Sequence, residues 1–160
     1  MGTFTGFTCP HCFKDIELLE GIGFFYSSFL MNDLEEICKC IKSKSIIKEV
    51  KDLYTNYNAK LYENSMDDRE NNENKYNFGM KIYYSARTKK IYNLLYFELE
   101  YEVNGEKRIY RPIFKDRYGD ELIEIDHSEI LMYEIRCPKC NNIISNDDSY
   151  KILFRFGFWD

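Results

Sequence analysis

The chain has 160 residues, with 27 acidic against 22 basic side chains and a formal net charge of −5. It is long enough to bury a core, and its 44% apolar and 17% aromatic content excludes a disordered chain. The acidic balance excludes nucleic-acid binding driven by overall charge, though it leaves room for a local basic patch. No run approaches the roughly 18 apolar residues of a spanning helix, and no basic, then apolar, then small-residue export signal is present. A cytoplasmic location without membrane contact, where thiols stay reduced, is therefore expected.

From the N-terminus, residues 2–8 read as a short strand leading into Cys9-Pro10-His11-Cys12, and the alternation of Asp15-Ile16-Glu17-Leu18 predicts a second strand. Gly21-Ile22-Gly23 predicts a bend with Phe24, Phe25 and Tyr26 packed beside it. Asn32 is a candidate N-cap for a first helix, with Glu35 at its third position and Ile37 and Ile41 on its apolar stripe. A second helix is expected from about Ser45, placing Ile46, Ile47, Val50, Leu53, Tyr54 and Tyr57 on one face. Lys44, Lys48 and Lys51 fall away from that face, as solvated charges do. Residues 62–77 lack periodicity and are acidic, which predicts a flexible loop.

Residues 78–84 and 91–103 read as strands around a turn at Ala86-Arg87-Thr88-Lys89. Asn104-Gly105 favours a two-residue type I′ turn that sets Val103 opposite Glu106. The same register puts Glu102 opposite Lys107, Leu99 opposite Tyr110, Glu98 opposite Arg111 and Leu95 opposite Phe114. Pro112 has no N–H to give, so a bulge or the end of regular pairing is expected there. Tyr118-Gly119-Asp120 turns the chain into a strand over 121–125, Asp126-His127-Ser128 turns it again, and residues 129–136 are expected to run as a strand into Cys137-Pro138-Lys139-Cys140. In the tail, Tyr150, Ile152, Phe154, Phe156 and Phe158 alternate onto one face, expected to be a strand's buried side.

Two Cys-Pro-x-Cys turns are the clearest chemical statement in the chain. Each lets two thiolates grip one ion from a tight turn, and the pair supplies the four sulfur ligands of a closed tetrahedral zinc site: Cys9, Cys12, Cys137 and Cys140. Proline presets φ for the turn. Asn141 suits the left-handed position that follows the last ligand, whereas Phe13 in the equivalent slot departs from the usual choice of Gly or Asn. Lys14, Arg136 and Lys139 are placed to offset the charge of four thiolates. Cys38 and Cys40, two apart on a predicted helix, point about 200° from each other and read as one core thiol and one surface thiol. His11 reads as exposed rather than a ligand, and His127 as a turn residue, since neighbours in sequence rarely aim at a common point.

The Cys-Pro-x-Cys pair resembles the zinc-ribbon, or rubredoxin-knuckle, families. Cys9-Pro10-His11-Cys12 followed by Gly21-Ile22-Gly23-Phe24-Phe25-Tyr26 is similar to short uncharacterised zinc-ribbon proteins of Firmicutes. The resemblance implies a structural Zn²⁺. The long span between the knuckles departs from a compact ribbon and implies an insertion.

The expected fold is α+β within residues 1–160 as a single domain. Segments 1–30 and 129–160 form the ribbon part, joined by a four-cysteine zinc site, with the helices of 31–60 and an antiparallel β-meander over 78–128 inserted. No catalytic constellation is present, so the expected function is a non-enzymatic, zinc-stabilised protein-interaction module with a protein partner. An inhibitor, immunity or anti-defence protein fits its size and acidity, and its Asn, Lys, Ile and Tyr usage resembles AT-rich bacterial or phage genomes. The alternative is nucleic-acid binding through a basic surface built from Arg87, Lys89, Lys90, Arg108, Lys115 and Arg117.

Overall fold

A computed structural model describes residues 2–21, 34–62, 77–144 and 154–159. In chain order they form β1 (Gly2–Thr8), β2 (Asp15–Glu20), α1 (Leu34–Cys40), α2 (Lys44–Tyr57), β3 (Lys60–Leu61), β4 (Phe78–Ser85), β5 (Lys90–Phe97), β6 (Leu99–Val103), β7 (Glu106–Tyr110), β8 (Ile123–Ile125), a 3-10 helix (His127–Met132), β9 (Ile135–Arg136), β10 (Ile143–Ile144) and β11 (Phe154–Trp159). The chain divides into two compact units, Met1–Gly23, Met80–Leu94 and Phe114–Asp160 in one, Phe24–Gly79 and Leu95–Ile113 in the other. The bend at Ile22-Gly23 with its aromatics, the Asn32 cap, loop residues 63–76, and Tyr150 and Ile152 of the tail lie outside the described residues.

In the first unit β1 is the middle strand of an antiparallel sheet, between β11 and β2. Thr5 lies opposite Phe156 on one side and Leu18 on the other, which puts these side chains on one face of the sheet. That face reaches the core through Phe7 and Leu18, both buried. The tail aromatics do not follow them. Phe156 is 66% and Phe158 70% exposed, opposite Thr5 and Thr3 on the strand that ends the described sheet. The expectation of a buried aromatic face is corrected accordingly. Gly157 leaves room for the Phe4 ring, which a Cβ in its place would displace.

The rest of this unit holds β8 against β4, with Ile82 opposite Ile125 and Tyr84 opposite Ile123. Asn93 joins β2 by imitating a backbone strand: its amide accepts from the Leu19 N–H at 2.8 Å and donates to the Leu19 carbonyl at 2.7 Å. Residues 129–136 are not one strand. The Asp126 carboxylate accepts from the Ser128 N–H, and the Glu129 carboxylate accepts from the Asp126 N–H, each at 2.8 Å. This capping box starts the 3-10 helix and leaves two residues for β9, which pairs with β10. Phe7, Leu18, Ile82, Tyr84, Ile125, Ile130, Ile135 and Ile144 pack into a core that includes Cys9 and Cys137.

In the second unit, α2 starts at Ser43, whose hydroxyl accepts from the Ile46 N–H, and ends at Asn58, with φ of 53°. Ile46 and Val50 are buried on the expected face, as is Ile37 of α1. The β6–β7 hairpin has the expected register: Val103 opposite Glu106, Glu102 opposite Lys107 and Leu99 opposite Tyr110. Asn104 and Gly105 both have positive φ, 54° and 83°, as a type I′ turn requires. The Lys107 ammonium reaches Glu100 at 3.5 Å.

The ladder ends at Tyr110, before Pro112, so it does not extend to Leu95 and Phe114. The run 91–103 is likewise two strands, divided at Glu98. The Glu98 backbone turns to other partners, its N–H donating to the Asn77 carbonyl and its carbonyl accepting from the Tyr62 N–H. Its carboxylate, 4% exposed, takes the Arg111 guanidinium at 2.7 Å and the Tyr96 hydroxyl at 2.6 Å. The Glu98–Arg111 pair thus forms just outside the ladder. No described helix is long and apolar enough to cross a membrane.

Candidate metal centre

Strand β1 ends by delivering Cys9 into the core, and the knuckle then closes through two backbone bonds. The Phe13 N–H donates to the Cys9 carbonyl and the Cys9 N–H donates to the Lys14 carbonyl, both at 2.9 Å. The second knuckle repeats this circuit: the Asn141 N–H donates to the Cys137 carbonyl at 3.0 Å, and the Cys137 N–H to the Asn142 carbonyl at 2.9 Å. β9 and β10 hold its two ends together. The circuit needs a left-handed residue after the second cysteine, and Phe13 (φ 56°) and Asn141 (φ 63°) supply it. For Phe13 this costs about 1–2 kcal/mol, with no side-chain hydrogen bond to offset it; its ring is 82% exposed.

The two knuckles bring their sulfurs to one place. Cys9 Sγ lies 3.8 Å from Cys140 Sγ, and Cys12 Sγ lies 3.7 Å from Cys137 Sγ. All four sulfurs fall within 4.8 Å of one another. Zinc–sulfur bonds of about 2.3 Å at the tetrahedral angle separate the sulfurs by about 3.8 Å. These separations are far too long for a disulfide, and the cysteines are free thiols. The donor set therefore fits a tetrahedral ion such as zinc, and four sulfurs leave no coordination position for water.

Burial pushes the Cys9 thiol up to about 12. Burial opposes ionisation of Cys137 as well, but the backbone N–H groups of Cys140 and Lys139 and the neighbouring sulfurs draw it down to about 7. A thiolate is thus favoured where backbone dipoles converge, and a bound cation would extend that preference to the other sulfurs. Arg136 anchors the second knuckle by donating to the Asn141 carbonyl at 2.9 Å, while Lys14 and Lys139 stay exposed. His11 lies outside the sulfur set: its Nε2 donates to the Ile143 carbonyl at 3.1 Å, tying the first knuckle to β10.

Cys38 and Cys40 are both half-buried, neither the core thiol nor the surface thiol expected, and burial pushes the Cys38 thiol upward. The six basic residues considered for nucleic acid are divided between the units, Arg108 in the second and the others in the first. Arg108 pairs with Glu106 at 3.4 Å, Arg87 with Asp120 at 3.2 Å and Lys89 with Glu134 at 3.6 Å. Lys90 and Lys115 are exposed. The Arg87 and Arg117 guanidiniums lie over the Tyr118 ring, 4.1 and 4.7 Å from its centroid.

One cluster has no counterpart in the sequence reading: Glu20, Asp126 and His127 converge, with ligand atoms within 4.8 Å of one another. Nothing in the spacing links Glu20 to the Asp126-His127 turn, and only the path of β2 beside the 3-10 helix brings them together. No protein-family model, curated protein or solved structure matches this chain.

Proposed function

We propose that this chain is a non-enzymatic, zinc-stabilised protein-interaction module of the cytoplasm, which acts by occupying the surface of a protein partner. The observation that carries the reading is β11, an outer strand that presents Phe156 and Phe158 to solvent at 66% and 70% exposure. Large aromatics exposed on the last strand of the described sheet suit capture of another polypeptide through side-chain anchoring. Zinc at Cys9, Cys12, Cys137 and Cys140 stabilises the core beneath that sheet and carries no reaction. An inhibitor or immunity role follows the same logic, since such proteins work by binding alone. The test is affinity capture from a bacterial lysate with wild-type protein and a Phe156→Ser, Phe158→Ser double variant. A stoichiometric partner that the double variant loses, at unchanged zinc content, is expected. Absence of any stoichiometric partner, or its retention by the variant, overturns the reading.

A second reading, nucleic-acid binding, draws on Tyr118, a 49% exposed ring under the Arg87 and Arg117 guanidiniums with Lys115 nearby in sequence. It requires a salt-dependent mobility shift of labelled RNA or DNA that Lys115→Glu and Arg117→Glu abolish. No shift at low salt removes it.

A further inference from the structure

His127 Nδ1 lies 3.0 Å from Glu20 Oε2 and 3.2 Å from Asp126 Oδ1. A neutral imidazole carries at most one proton on that nitrogen, so two carboxylates converge on a single donor. Around a divalent ion with donor bonds of about 2.0–2.1 Å, adjacent donors stand roughly 3.0 Å apart in an octahedron and 3.3 Å in a tetrahedron. The two nitrogen–oxygen separations have that size and all three ligand atoms fall within 4.8 Å of one another, so an ion could take the place of the Nδ1 proton.

The donors are also held and charged for a cation. Asp126 is fixed by the Ser128 N–H at 2.8 Å as the cap of the 3-10 helix. The His127 ring meets Phe156 edge-on, with centroids 6.2 Å apart. Beside the cluster, a cleft of about 480 Å³ is lined by Glu20, Glu124, Asp126 and Glu129, with Lys81 as its cationic side chain. Lys81 is engaged by Glu124 at 2.7 Å.

We propose that Glu20, Asp126 and His127 form a second metal site, distinct from the four cysteines, for a divalent first-row transition ion. One imidazole and two carboxylates favour Zn²⁺, Co²⁺, Ni²⁺ or Mn²⁺ over Mg²⁺ or Ca²⁺. The His127 and Asp126 side chains are 44% and 55% exposed, so the remaining positions on the ion open to solvent. They would hold water or a donor from a bound partner, next to the aromatic strand β11.

The test is equilibrium dialysis of the one-zinc protein against Co²⁺, with metal analysis and the His127 ring resonances as readouts. A further equivalent of Co²⁺ that shifts those resonances, with zinc retained, is expected. His127→Ala and Asp126→Asn should weaken this uptake at least about tenfold at unchanged zinc content. Asp126→Asn keeps an oxygen that can cap the 3-10 helix, so its loss of cobalt would not stem from unfolding. The proposal is overturned if no further cobalt binds at millimolar concentration, if uptake survives in His127→Ala, or if cobalt enters only as zinc leaves, with thiolate-to-cobalt absorption.

Discussion

Stripping the metal from the cysteine site should cost this protein much of its stability. Cys9 and Cys137 are 0% and 1% exposed and belong to the core of the first unit. The sulfurs stand 3.7 and 3.8 Å apart across the knuckles, the edge length of a zinc tetrahedron, so little binding energy goes into rearranging them. Structural zinc contributes about 10–16 kcal/mol of apparent binding energy in small domains, comparable with the whole net stability of about 5–15 kcal/mol. Even about 3 kcal/mol would lower Tm by roughly 6–12 °C in a chain of this size. Melting curves of zinc-loaded, chelator-stripped and reloaded protein give the comparison, and Cys137→Ser should behave as the stripped form does. Cobalt in place of zinc should show intense thiolate-to-metal absorption and tetrahedral visible bands. Stripped protein melting within about 2 °C of the loaded form, or a cobalt form without those bands, would falsify the reasoning.

Other perturbations probe the remaining architecture. Arg111→Ala leaves the buried Glu98 carboxylate without its cation and should cost about 1–3 kcal/mol in chemical denaturation, with Glu98→Gln, Arg111→Ala recovering part of it. Burial opposes the charge on Glu98, but hydrogen bonds from Tyr96, Arg111 and Asn77 outweigh it and hold the carboxyl below its ordinary range. Its contribution is therefore full above the unfolded-state pKa of about 4.3 and is lost as pH falls through the lower folded value; Glu98→Gln should flatten the stability profile in that acid range. Gly105→Ala forces a Cβ into φ of 83° and should cost about 1 kcal/mol by the same denaturation assay. Asp116→Ala removes the acceptor of the Ser85 hydroxyl and of the Tyr118 and Asp120 N–H groups, and should lower stability by about 1–3 kcal/mol.

What was legible in the sequence was local. The knuckles could be read because ligand spacing and a proline lie within four residues, and the β6–β7 register because Asn104-Gly105 dictates its own turn. The face of α2 followed from spacing, although its cap is Ser43, just ahead of the expected start. The strand expected over 129–136 failed on a signal that was present: Asp126 and Glu129 are a capping box, and it overrides the apolar run after it. Glu98 broke the long strand through Asn77 and Tyr62, partners that no local pattern names. Alternation in the tail correctly grouped Phe156 with Phe158, but periodicity separates two faces without saying which one is covered. The meeting of Glu20 with His127 had no local trace at all.

The sulfur set also constrains the order of events on the ribosome. Cys12 and Cys137 are separated by 125 positions. At about 5–20 residues per second, the early pair of thiols must wait roughly 6–25 s for the late pair to be made. During that interval the nascent chain can hold an ion with only half its ligands, and β1 lacks β11 as a neighbour. Capture of an ion by all four sulfurs then comes late in synthesis, as a latch rather than a seed. Until such an ion is bound, all four thiols stay unlatched and open to oxidation.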